Sequence, residues 1–104
     1  MNINPEFIFH KLQIICDADC GSHNEIRFEI LKEIQLQENA VMYILSWNQT
    51  GRTAVIIYDD GTLFHLNDWQ GPCPETAEEI ESFEWRSECG KRAVVFNGLP
   101  KVFM

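Results

Sequence analysis

The hydrophobic positions of this chain follow one rhythm over the first twenty residues and another from residue 26 onward. The segment FIFHKLQIIC, residues 7–16, is apolar almost all round, the pattern of a largely buried helix. Asn4, Pro5 and Glu6 supply its start: a capping side chain, a ring suited to the first helical position, and an acid in the first turn. The helix should end near Asp19–Gly21, where glycine admits the left-handed backbone of a helix stop. In EIRFEILKEIQLQ the even positions Ile26, Phe28, Ile30, Lys32, Ile34 and Leu36 are apolar in five of six cases. The odd positions Arg27, Glu29, Leu31, Glu33, Gln35 and Gln37 are apolar in one of six. That alternation predicts a strand with one wet face. A helix would gather Ile26, Ile30, Leu31 and Ile34 but strand Phe28 and Leu36 on its polar side. The Glu, Lys and Gln content and a capping-box pattern at Ser22–Glu25 pull toward helix, and the alternation outweighs them.

Two further apolar runs, AVMYILSW and TAVIIY, are rich in β-branched and aromatic residues and flank a turn at Asn48–Gly51. Residues 54–58 are apolar on both faces, as expected of a central strand covered on each side. Asp59, Asp60 and Gly61 form the strongest hairpin signal, leading into TLFHL. Pro and Gly make residues 67–74 a loop, and Thr76-Ala-Glu-Glu79 matches a capping box that opens a short acidic helix with Ile80 and Phe83 inward. SFEWRS and RAVVF read as extended around a turn at Glu88–Lys91; Asn97-Gly98 is a last turn, and LPKVFM is expected along a sheet edge. The sum is one α+β domain over residues 1–104. It combines an antiparallel sheet of about five strands with an N-terminal helix and the short acidic helix packed on it.

Composition changes this picture little: 45% hydrophobic residues and 12 aromatic rings suffice for an ordinary core. Apolar runs fall well short of the roughly 20 residues that span a bilayer, and the first residues lack a basic, apolar leader. A soluble cytoplasmic protein is expected, in which Cys16, Cys20, Cys73 and Cys89 are free thiols. An oxidising compartment would instead allow three disulfide pairings, among which spacing does not choose.

Charge changes it more. The formal net charge is −8, and residues 53–90 alone hold nine acids against one base. Such a chain repels nucleic-acid phosphates and attracts basic proteins over a range that salt shortens.

Candidate chemistry is sparse. CDADCGSH brings Cys16, Cys20 and His23 to i, i+4 and i+7, but a second ligand pair for zinc is missing and Gly21 should turn His23 off the thiol face. A thiolate at Cys20 would sit at the negative end of a helix beside Asp17 and Asp19, which disfavours it. Neither a phosphate-binding glycine loop nor a nucleophile elbow occurs, so no enzyme, metal or cofactor is expected. The segment to favour is NDWQGPCPETAEEIE, where Asp68 and Trp69 precede Glu75, Glu78, Glu79 and Glu81. An aromatic anchor rimmed by carboxylates has the composition of an interface hot spot. The leading expectation is therefore a non-catalytic acidic protein, of inhibitor or immunity type, that binds a basic protein partner. The alternative is a small-molecule-binding domain with a pocket between the sheet and the N-terminal helix. The apolar tail Val102–Met104 calls for cover, which a homodimer through a sheet edge would provide.

Overall fold

The computed structural model describes residues 4–20 and 25–102, with the backbone alone for Asp19 and Cys20. The expected helix stop at Gly21, the Ser22–Glu25 capping box, the Cys20–His23 pair and the end of the apolar tail fall outside the described residues. The fold is α+β. Helix α1 (Pro5–Cys20) precedes five antiparallel strands, β1 (Phe28–Gln35), β2 (Ala40–Trp47), β3 (Gly51–Tyr58), β4 (Leu63–Leu66) and β5 (Trp85–Ser87), which lie side by side in chain order. A 3-10 helix (Ala77–Ser82) comes before β5, and a separate hairpin, β6 (Val94–Phe96) with β7 (Leu99–Lys101), follows it.

The Asn4 carboxamide oxygen accepts the Glu6 amide at 3.0 Å, so the cap read from sequence forms. Among the described side chains of α1 only one stripe is buried, Ile8, Leu12 and Ile15, at the i, i+4, i+7 spacing that faces one neighbour. Phe7 and Ile14 are about half exposed, at 42% and 54%. The helix is thus a one-sided cover, and its all-round apolar sequence overstated its burial.

Strand β1 carries a bulge. Its pairing with β2 shifts between Ile30 and Lys32, so Leu31 is the extra residue. The physical consequence follows from the two-residue period of a strand: one inserted residue sends every later side chain to the opposite face. Phe28 and Ile30 join the cluster under α1, whereas Ile34 and Leu36 join the cluster on the other face. The alternation in sequence was real, but it serves two cores in succession rather than one.

Strands β2 and β3 are buried on both faces, as the apolar run at 54–58 implied for β3. Val41, Tyr43, Leu45, Val55 and Ile57 meet α1. Ala40, Met42, Ala54 and Ile56 meet Phe64, Leu66, Ile80, Trp85, Ala93 and Leu99. The Asp59–Gly61 turn closes with Tyr58 N–H donating to the Thr62 carbonyl at 2.9 Å and with Gly61 at a φ of +92°.

Two details differ from expectation. The Thr76 hydroxyl donates to the Glu79 carboxylate at 3.2 Å and caps no backbone amide, and the acidic turn is 3-10 over its whole length. Residues 99–101 do not lengthen the main sheet. Positive φ at Asn97 and Gly98 folds them tightly back on β6, and Leu99 is buried against the second face. The Tyr58 hydroxyl then fixes the hairpin by donating to the Pro100 carbonyl at 2.8 Å. Among the described residues no helix is long and apolar enough to cross a membrane.

Candidate functional site

The six candidate residues of the 67–81 segment separate into two places. Asp68 and Trp69 lie where β4 ends. The Trp69 indole packs against both core clusters and meets Phe28 edge-on, with ring centroids 6.1 Å apart. Its N–H donates to the Leu66 carbonyl at 3.0 Å. That same carbonyl lies 2.8 Å from Nδ1 of buried His65, and the Trp69 N–H lies 3.3 Å from that nitrogen, so both rings and the Leu66 carbonyl form one close cluster. Trp69 is therefore half-buried and oriented from inside the protein. Asp68 folds its loop: one carboxylate oxygen accepts the Gln70 amide at 2.9 Å and the Gly71 amide at 3.2 Å.

Beside them is a cleft of about 360 Å³ at the C-terminal end of α1, lined by Cys16, Ile26, Trp47, Asn67, Asp68, Trp69 and Gln70. Trp47 forms one wall because the backbone opposite it is glycine. It pairs with Gly51 across β2 and β3, and a Cβ at Gly51 would stand 2.1 Å from the indole. The ring lies over that glycine, and its N–H donates to the Trp69 carbonyl at 3.0 Å. Gln13 braces the rim from α1, its amide oxygen accepting the Ile26 N–H at 2.8 Å. In the sequence Trp47 reads only as the end of a strand-forming run; the cue for its role in the cleft was a tryptophan and a glycine at the two ends of one short turn.

The remaining acids lie elsewhere. Glu75 is near Arg52, with 3.8 Å between charged atoms, and both side chains are largely exposed. Glu78, Glu79 and Glu81 are exposed on the 3-10 turn, with no cationic side chain in ion-pair reach among the described residues. Glu38 has Lys101 in reach, Glu88 has Lys11, and Glu84 has both Arg86 and Arg92. Glu78 and Glu81 border a second cleft, of about 340 Å³, completed by Gln35, Leu36, Gln37, Ala77, Gly98 and Leu99. This cleft sits at the turn end of the β1–β2 hairpin, opposite the end that carries Trp47.

Its chemistry is one-sided. The Gln35 side-chain nitrogen donates to the Leu36 and Ala40 carbonyls, at 3.2 and 3.1 Å. The Gln37 side-chain nitrogen donates to the Asn97 carbonyl at 2.7 Å. With those donors committed to backbone, the two glutamines and two glutamates offer the cleft chiefly acceptors. Neither glutamine stood out in the sequence, where both read as the wet face of a strand.

Thiol chemistry is divided by environment. Burial pushes the Cys73 thiol above its ordinary value. Exposed Cys89 is held below it by the Ser87 hydroxyl, 3.2 Å away, and by the Lys91 amide. Among the described residues no three His, Cys, Asp or Glu side chains gather as a metal-holding group. No family model matches the chain, and no curated protein or solved structure proved significantly similar to it.

Proposed function

We propose that this is a binding protein for a basic protein partner, engaged through Glu78, Glu79 and Glu81 and the cleft that Glu78 and Glu81 border. The observation that carries the reading is the acceptor-rich lining of that cleft, in which the glutamine nitrogens are already bonded to backbone. A guanidinium group presents only donors and suits such a surface, and a chain of net charge −8 would draw it in over long range. Asp68 and Trp69 play no part in this contact, which narrows the interface expected from the sequence. A defined arginine-rich peptide tests it. Binding, followed by fluorescence anisotropy, should weaken at least about tenfold in a Glu78→Lys/Glu81→Lys variant and fall with added salt. Reversing Asp59 and Asp60, the same change in net charge on the β3–β4 turn, should weaken it far less. Equal losses in the two variants would reduce the effect to bulk charge and remove the reading.

A second reading is favoured by the cleft between Trp47 and Trp69, which lies where the N-terminal helix meets the sheet. Its volume falls within the range of about 300–1,000 Å³ common for small-molecule sites, and its walls are mainly apolar with a few polar groups. On this reading the protein holds a small molecule there, whatever the acidic turn does.

A further inference from the structure

We propose that the Trp47–Trp69 cleft is a site for a small alkylammonium cation, an assignment that rests on the small-molecule reading. Both indole N–H groups are spent inside the protein, Trp47 on the Trp69 carbonyl and Trp69 on the Leu66 carbonyl. The rings therefore offer a ligand their carbon surface and π-electrons and no hydrogen-bond donor. Negative π-faces attract cations, most strongly those whose methyl groups weaken their hydration. Ile26 and Cys16 add apolar surface suited to such methyl groups.

The only formal charge among the described lining residues is the Asp68 carboxylate, which is exposed at the cleft. An anionic ligand would meet that charge with no cation in the lining to offset it. A neutral polar ligand would find the Asn67 side-chain oxygen already accepting from Arg86 at 3.0 Å and one Asp68 oxygen already accepting the Gln70 and Gly71 amides. A cation with an apolar envelope satisfies both the walls and the charge. The site lies away from the glutamate–glutamine cleft, so the two bindings are independent.

Choline and its neutral analogue, with carbon in place of the ammonium nitrogen, separate the possibilities. The readout is the indole N–H resonance of each tryptophan in the full chain, with fully buried Trp85 as the internal reference. Choline should shift Trp47 and Trp69 and leave Trp85 in place, and the neutral analogue should bind about tenfold more weakly. Asp68→Asn retains an oxygen for the Gln70 and Gly71 amides and so preserves the loop. That variant should lose choline affinity several-fold while binding the neutral analogue unchanged. Equal binding of the two compounds overturns the cation assignment and leaves the small-molecule reading standing. No shift at Trp47 or Trp69 with either compound, up to millimolar concentration, overturns both.

Discussion

The two faces of the five-stranded sheet bury similar sets of aliphatic and aromatic side chains, yet they are closed by different means. On one face a single sixteen-residue helix lays down Ile8, Leu12 and Ile15 at regular spacing. On the other, the cover is assembled from a 3-10 turn, a short hairpin and the strand edge between them, and each piece brings one or two anchors: Ile80, Leu99, Trp85 and Ala93. Polar tethers compensate for the missing regularity. Trp85 N–H donates to the Ile80 carbonyl at 2.9 Å, Tyr58 O–H to the Pro100 carbonyl, and the Gln37 amide to the Asn97 carbonyl. A helix satisfies its own backbone and needs only an apolar stripe. A cover of short irregular pieces must borrow side chains to satisfy its carbonyls. Both candidate sites reflect this difference, since one cleft opens at the end of the helix and the other opens between the pieces.

The sharpest way to break the contrast is to remove one anchor from each side. Trp85→Ala deletes a fully buried ring together with its tether to the 3-10 turn, and should cost about 3–5 kcal/mol. Leu12→Ala on the helix stripe should cost about 2–5 kcal/mol. The pattern of the damage matters more than its size. Amide exchange after Trp85→Ala should accelerate first in residues 77–82 and 94–101, with α1 still protected. Uniform acceleration over both faces would show that the irregular cover is not a separate unit.

Gly51→Ala addresses the helix-side cleft. The added methyl group would overlap the Trp47 indole, so either the ring leaves or β2 and β3 separate. A cost of roughly 1–3 kcal/mol is expected, as for overpacking in a core. The Trp47 indole resonance should move while that of Trp85 stays. A variant as stable as the parent, with unmoved indole signals, would contradict the placement of Trp47 over glycine.

The faces also differ in how much of them could be read from sequence. The capped helix, the strands at 40–47 and 53–58, and the Asp59–Gly61 turn were legible because local pattern decides them. The bulge at Leu31 was not, because an unbroken alternation looks the same whether it serves one face or switches between two. The hairpin at 94–101 was recognised as a turn, but its destination depends on long-range contacts of Leu99 and Tyr58 that no local window contains. The site was least legible. The segment 67–81 is acidic as a string, yet the turn at Asp68 and the inward indole of Trp69 divide it between two ends of the molecule. Gln35 and Gln37 acquire meaning only once their nitrogens are seen to be bonded elsewhere.

The smallest effect is expected at Tyr58, where the tether is a single hydroxyl. Burial first, and then the charges of Glu38 and Asp60, push this phenol up to about 12 from an ordinary value of 10.0. The folded chain therefore keeps a proton that the unfolded chain has begun to lose at about pH 10. Because the folded state binds more protons through that window, stability is constant below it and falls as the pH rises from about 10 toward 12. Tyr43 is raised too, by burial and by Glu33, and adds to the same slope. Tyr58→Phe should cost about 1 kcal/mol at neutral pH, since the Pro100 carbonyl loses its donor. Above pH 10 that deficit should shrink, because the mutant has no Tyr58 proton to lose. Urea midpoints measured at neutral pH and at pH 11 decide the matter. If the gap between parent and variant stays constant or widens, the Tyr58 hydroxyl does not hold the hairpin in the way its 2.8 Å contact implies.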